Sequence, residues 1–452
     1  MLHKKLQHHL ITDSGEEAAA IILCSRIIGK RTKLVAKQVL LVPHDQCSRG
    51  EAHLTWDGAF VEEALDMAEE DDLSLLLIHS HPGGYYQFSD VDDDSDKETI
   101  PSIFMGRSFS NPGDTVHGSV IMIPGGKMRG RIYNKDMAKT DLELITVVGD
   151  ELDFQWLSDG SRNKKPMAFT QGMRDELSKL SVCFIGVSGT GSISSEQAGR
   201  LGFGEISLID FDTIEKKNLN RILYSTLAHA NSNSLKVDVM AAAIKSYRDN
   251  LQINAIPTTI TGKEAIYIAA EADVLVCCVD SEEGRQIADH LASCCVIPLF
   301  DVGVTIPVRE GANGDKVIMD ILGRIDYIQP GGSMLINRGV YTPASLAAEY
   351  MARTNPEEYK KQVQEGYMPG VAEEAPSVIS VNMRAASACI NEFIARTYPF
   401  RLDPNHTKAR TIFSLASNEE DYFPESTWPD KSVYMVGTGL KSPLLGIPSL
   451  EG

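Results

Sequence analysis

Two histidines one residue apart, His79 and His81, are followed by Ser89 and Asp92, which together read as H-x-H-x7-S-x2-D. Imidazole nitrogens and a carboxylate oxygen are donors that zinc accepts. Two imidazoles and one carboxylate leave a fourth position for water, and water so held ionises near pH ~7. The element that must present these groups is the apolar run Leu73 to Ile78, which reads as a buried strand. Side chains alternate along a strand, so His79 and His81 point the same way and can share one ion. Asp92 then returns from the following loop or helix to supply an oxygen. It sits in the acidic run Asp90 to Asp96, where Asp93, Asp94 and Asp96 read as a solvated loop.

A second set of residues lies beyond Pro166, where strand and helix patterns alternate. Ser181–Ile185 reads as a buried parallel strand. It runs into a loop containing Gly186, Gly189, Gly191 and Ser192, then a helix to Leu201, then a strand from Glu205 ending at Asp210-Phe211-Asp212. This is the layout of a nucleotide site in a doubly wound sheet. Glycines let backbone N–H groups approach phosphate, and the helix N-terminus favours anions. Asp210 can accept from ribose hydroxyls. A dinucleotide fingerprint would need glycine where Ser188 stands; counted from Gly189, it would need glycine at Ser194. Asn218, Arg221 and Lys236 suit a triphosphate better than a nicotinamide. Asp280, closing another apolar strand before Arg285, suits magnesium beside the phosphates. A nicotinamide dehydrogenase is therefore disfavoured.

The first pattern resembles the JAMM/MPN metallopeptidases, which remove ubiquitin-like proteins from conjugates. The resemblance implies zinc on His79, His81 and Asp92. It makes Glu17 the general base, with Glu16 the one-residue alternative, and gives Ser89 the tetrahedral oxyanion. The second pattern resembles the adenylation domain of the ThiF/MoeB/ubiquitin-activating family. That resemblance implies ATP and Mg2+ in a site made by Gly186, Gly189, Gly191, Asp210, Asp212, Asn218, Arg221, Lys236 and Asp280. Asp210 would bind ribose, while Asn218, Arg221 and Lys236 would neutralise phosphate. Such enzymes are usually dimers that take an arginine from the partner subunit, and Arg162 is the weak candidate here. Many relatives carry cysteines after a Pro-Gly turn. Here Pro330 to Gly339 has Ser333, Met334 and Asn337 but no cysteine. Gly366 to Pro369-Gly370, Ala375 to Ser377 and the helical run to Phe393 resemble the closing part of the family. The activated tag would then stay an adenylate for a partner, form an oxyester with Ser333 as the nearest hydroxyl, or use a distant cysteine.

The 452 residues suffice for two or three domains, and 43% hydrophobic with 23% charged content is ordinary for a globular chain. A net charge of −19 argues against nucleic acid or an anionic membrane as partner. No apolar run reaches the length of a membrane span, and no signal segment stands at the start. Eight scattered cysteines without C-x-x-C fit a reducing cytoplasm. The expected fold class is α/β. Residues 1–155 would form a JAMM-type α/β metallopeptidase domain, 160–400 a doubly wound Rossmann-like adenylation domain, and 401–452 a C-terminal tail. The joint expectation is a bifunctional, homodimeric bacterial enzyme of a ubiquitin-like pathway. It would adenylate the C-terminal glycine of a ubiquitin-like protein, process or deconjugate that protein, and work with a separate conjugating enzyme or carrier. The alternatives are sulfur-carrier activation for cofactor or thio-metabolite synthesis, and a regulatory scaffold with degenerate sites.

Overall fold

The computed structural model describes residues 2–106, 115–161, 164–311, 314–365, 378–429 and 435–451. The chain divides into two compact units. The first takes Met1–Lys165 together with Cys294–Val296 and Met435–Ser442; the second takes Pro166–Ser293, Ile297–Tyr434 and Pro443–Gly452.

The first unit runs α1 (Leu2–Leu10), β1 (Ala19–Ile27), β2 (Lys33–Leu41), β3 (Cys47–Gly50), β4 (His53–Trp56), α2 (Ala59–Ala68), β5 (Ser74–Ser80), α3 (Asp90–Met105), β6 (His117–Met122), β7 (Met128–Tyr133), β8 (Lys139–Asp141), β9 (Leu144–Val148) and β10 (Leu152–Trp156). A six-stranded sheet has the order β2-β1-β5-β6-β7-β8, with β5 and β6 parallel and the other pairs antiparallel. Its alternation explains the two cores. Ala20, Ile22 and Cys24 of β1, with Leu76 and Ile78 of β5, join Leu6 and Leu10 of α1 on one face. Ile21, Leu23 and Leu75 join Ala64 and Ala68 of α2 and Ile100 and Ile103 of α3 on the other. The period-two pattern thus buries both faces of one sheet. Residues 435–442 pack on the outer strands: Ser25 Oγ donates to Gly437 O at 2.8 Å. Gly437 has φ +73°, and a Cβ there would lie 2.5 Å from Ala36 O, so no larger residue fits.

The second unit runs α4 (Gln171–Leu177), β11 (Ser181–Ile185), α5 (Gly189–Leu201), β12 (Glu205–Ile209), α6 (Leu227–Asn231), α7 (Lys236–Lys245), β13 (Gln252–Ile256), α8 (Lys263–Glu271), β14 (Val274–Cys277), α9 (Glu282–Cys294), β15 (Leu299–Thr305), β16 (Val308–Glu310), β17 (Lys316–Ile318), β18 (Leu322–Ile328), α10 (Pro343–Thr354), α11 (Pro356–Gln364), α12 (Ile379–Thr397), β19 (Arg410–Ser414) and β20 (Glu419–Phe423). Its eight-stranded sheet has the order β13-β12-β11-β14-β15-β18-β19-β20. The first five strands are parallel and the last three antiparallel. From β11 the chain goes first to β12 on one side and later to β14 on the other. The C-terminal end of β11 is therefore the switch point where an α/β sheet opens a crevice for ligand. Residues 410–423, read from the sequence as part of a tail, instead extend this sheet by two strands. Among the described residues no helix is long and apolar enough to cross a membrane.

Candidate metal centre and nucleotide loop

His79 shares strand parity with Leu75 and Leu77, which puts it on the α3 face of the first sheet. His81 lies just past the strand end, its backbone N–H donating to Met122 O at 2.8 Å. Ser89 starts α3. Its extended backbone (φ −83°, ψ 170°) places Oγ to accept the Asp92 N–H, while the Asp92 carboxylate accepts the Ser89 N–H. This capping box folds the Asp92 side chain back over the first turn, toward the histidines.

The three candidate ligands converge. His79 Nε2 lies 3.0 Å from His81 Nε2 and 3.0 Å from Asp92 Oδ1, and His81 Nε2 lies 3.5 Å from Asp92 Oδ2. Tetrahedral zinc with bonds of ~2.0–2.1 Å needs its ligand atoms ~3.3 Å apart, so this donor set fits the ion. His81 Nδ1 donates to Tyr85 O at 2.8 Å, so Nε2 is the nitrogen turned to His79 and Asp92, where a metal would take the place of its proton. Burial works to raise the Asp92 pKa, but hydrogen bonds from both histidines hold it well below the usual carboxylate range. The Ser89 hydroxyl donates to Asp92 Oδ2 at 2.8 Å, so here it orients the ligand.

Glu17 is half-buried and interacts electrostatically with His79, His81 and Asp92. Burial raises its pKa and the two imidazoles oppose that rise. Its backbone is fixed: Glu17 N donates to Gly50 O at 2.9 Å, and Arg49 Nε donates to Glu17 O at 2.7 Å. Glu16 points elsewhere, toward Arg49 Nη1 at 4.0 Å. The acids after Asp92 are not a solvated loop. They lie on α3, and Asp96 is buried under hydrogen bonds from Arg131, Ser119 and Tyr133.

In the second unit, the loop after β11 meets the N-terminus of α5. Gly186 has φ +91°, and a Cβ on Gly191 would lie 2.0 Å from Gly186 O. The turn therefore closes only with glycine at both positions. A Cβ on Gly189 would meet Asn382 Nδ2 at 2.1 Å, so this glycine answers to α12 packing. Asp210, at the end of β12, is buried and accepts N–H groups from Val187 (2.8 Å) and Asp212 (2.9 Å). Burial raises its pKa, and Lys236 and the backbone donors pull it back. Lys236 Nζ lies 2.6 Å from Asp212 Oδ2 and 3.9 Å from Asp210 Oδ1. Arg221 lies beside Gly189, with Cδ 3.5 Å from the position of a Cβ there. Asp280 is exposed just after β14, and Arg285 turns to Asp301 at 3.5 Å. Asn218 follows β12 in a short turn beside Arg221. It is buried, and its Oδ1 accepts the Glu215 N–H at 2.9 Å in a local cap. Arg162 and residues 366–377 lie outside the described residues.

Residues 2–132 match the family of prokaryotic homologs of the JAB domain, and residues 161–338 match the ThiF family. The chain joins a JAB domain to a ThiF domain. Its similarity to characterised proteins is partial. It is 26% identical over 170 residues to ubiquitin-like modifier-activating enzyme 5 of Bombyx mori, covering 35% of this chain and 39% of that protein. The same enzyme from Oryza sativa subsp. japonica is 26% identical over 173 residues, covering 35% of this chain and 37% of that protein. The matches thus span about two fifths of these relatives. Among solved structures, Escherichia coli MccB with MccA-N7isoASN has a TM-score of 0.45 at 18% identity, covering 58% of this chain and 69% of that one.

Beyond the ThiF glycine loop, the turn without cysteines is tied by buried charge. Ser333 is fully buried, with Oγ accepting from Arg338 Nε at 2.8 Å. Its hydroxyl is thus closed to an acyl group, which removes Ser333 as the acceptor of an oxyester. Arg338 also binds Asp326, Ala409 O and Glu425, and Asp289 accepts from Leu335 N and Tyr341 Oη. Seven of the eight cysteines are buried, and Cys47 is half-exposed in the JAB unit. Reasoning from sequence missed Arg49, Arg131 and Arg338, because each acts through partners distant along the chain.

Proposed function

We propose that the ThiF domain adenylates the C-terminal carboxylate of a ubiquitin-like protein and that the JAB domain hydrolyses a peptide or isopeptide bond at the same tag's C-terminus. The observation that carries this reading is the presence in one chain of a convergent His79–His81–Asp92 donor set beside Glu17 and a glycine loop at a sheet switch point beside Asp210 and Lys236. The similarity to ubiquitin-like modifier-activating enzymes supports a protein tag as substrate.

In adenylation, a tag carboxylate oxygen attacks the α-phosphorus of ATP, the bond to the β-phosphate oxygen breaks, and pyrophosphate leaves. Asp210 accepts the ribose hydroxyls. Arg221 and Lys236 offset the charge that develops on phosphate. Asp280 would hold magnesium, which would offset phosphate charge. No cysteine of the ThiF unit is exposed, so the adenylate passes to a separate carrier or conjugating enzyme.

In the JAB domain, His79, His81 and Asp92 would hold zinc, which would supply a Lewis acid and lower the pKa of a water toward neutrality. Glu17 takes the proton from the attacking water and returns it to the leaving amine, a role suited to a carboxylate whose pKa burial has raised. The deciding experiment incubates the full chain with ATP, magnesium and ubiquitin-like proteins that end in glycine. Tag-dependent pyrophosphate exchange, with the tag gaining the mass of AMP, is the expected result. Exchange that ignores the tag, or tight NADH binding with no response to ATP, contradicts it.

A further inference from the structure

We propose that Arg131 is a positioning residue for the metal ligand Asp92, and that its grip on the first turn of α3 sets zinc affinity. The proposal rests on the reading of His79, His81 and Asp92 as a zinc site. Arg131 lies in β7 and is 2% exposed. Its guanidinium holds both sides of the capping box. On the side before Ser89, it stacks over the Phe88 ring at 3.8 Å. On the side after Asp92, Nη1 binds Asp93 Oδ1. One turn further, Nε donates to Asp96 Oδ2 at 2.8 Å and Nη2 lies 2.7 Å from the same oxygen. The sheet completes the anchor, because Ser119 Oγ and Tyr133 Oη donate to that Asp96 oxygen at 2.6 and 2.8 Å. One buried cation thus connects Phe88, Asp93 and Asp96 to β6 and β7, and Asp92 lies between them.

The need for such an anchor follows from where Asp92 sits. The first turn of a helix has N–H groups without intrahelical partners, and it frays more readily than the interior. Apparent affinity falls in proportion to the time a ligand set spends out of position. The capping box alone ties Asp92 to Ser89, and both lie on the same fraying turn. Arg131 ties that turn to the sheet that carries the histidines. A planar, permanently charged fork can serve two carboxylates at once, and the point charge of lysine cannot copy it.

The test measures zinc affinity of the full chain by competition with a chelating dye, and records the visible spectrum with cobalt(II) in place of zinc. Four proteins are compared: wild type, Arg131→Lys, Asp93→Asn and Asp94→Asn. Asp94 is exposed and, among the described residues, pairs with exposed Lys97, so it controls for lost negative charge. Arg131→Lys and Asp93→Asn are expected to weaken zinc binding by about 10-fold, the lower end of the range for groups that hydrogen-bond a metal ligand directly, because they act on Asp92 through the turn that carries it. They are also expected to dim the intense absorption of four-coordinate cobalt, while Asp94→Asn matches wild type. Unchanged affinity and spectrum in folded Arg131→Lys and Asp93→Asn overturn the proposal, as does an equal loss in Asp94→Asn. Should Arg131→Lys unfold, Asp93→Asn decides alone, because its side chain is 44% exposed and its loss leaves no cavity. A wild-type chain that binds no zinc overturns the metal reading, and the proposal with it.

Discussion

Ser80, the residue between the two histidines, accepts the Ala18 N–H on its Oγ at 2.9 Å, and its own backbone N–H donates to Ala18 O at 3.0 Å. Ala18 follows Glu17 directly. The strand that carries the two histidines and the segment that carries Glu17 are therefore joined by two buried hydrogen bonds. Ser80→Ala leaves the Ala18 N–H unsatisfied, which costs about 1–3 kcal/mol. The expected variant melts lower than wild type, keeps its zinc, and cleaves a tag fusion more slowly. Loss of zinc together with the activity would show that Ser80 supports the ligands themselves.

Glu17 and Glu16 are adjacent yet differ in surroundings. Glu17 is half-buried and feels both histidines, while Glu16 faces Arg49 and is 43% exposed. Glu17→Gln should retain zinc and lose about 10²- to 10⁴-fold in cleavage rate, the range for a missing general base. Glu16→Gln should cleave as wild type does. Zinc content and rate measured on the same preparations check both; a slow Glu16→Gln beside a normal Glu17→Gln would exchange their roles.

Asp289 is fully buried beneath the Ser333–Tyr341 turn, and burial pushes its pKa up to about 7. In the unfolded chain the same group titrates near ~3.9. Between these values the native state holds a proton that the unfolded chain has released. The contribution of Asp289 to stability therefore falls as pH rises from about 4 to about 7, and is flat above. Thermal midpoints of wild type and Asp289→Asn, compared across that window, should shift in favour of the variant as pH rises. A constant difference between them would mean that Asp289 titrates normally.

Much of this organisation can be read along the sequence, because it is local. The H-x-H spacing at the end of an apolar run fixes strand parity, and S-x-x-D fixes a helix cap. The glycine loop between two buried strands marks the switch point of the second sheet. What the sequence hides depends on distant partners. Asp96 looks like one more acid in an exposed run, yet Arg131, 35 residues away, buries it. Asn218 reads as a phosphate ligand, and its Oδ1 also caps the local turn by accepting the Glu215 N–H, a contact that no motif announces. β20 carries Glu419-Glu420-Asp421, acidic residues that protect an edge strand but carry no apolar alternation to announce one. Ser333 reads as the nearest hydroxyl for an oxyester, and nothing along the chain signals that Arg338 donates to it in the core.

Two separate chemistries in one chain should be separable by mutation. The most direct test measures zinc content and titrates ATP with magnesium by calorimetry on the same three proteins: wild type, His79→Ala/His81→Ala and Asp280→Ala. About one zinc per chain and ATP binding are expected in wild type, as a three-ligand catalytic site and a nucleotide loop require. The histidine variant should lose zinc and still bind ATP. Asp280→Ala should keep zinc and lose magnesium-dependent ATP binding. Loss of both properties in either variant, or of neither in both, would contradict the separation of the two chemistries.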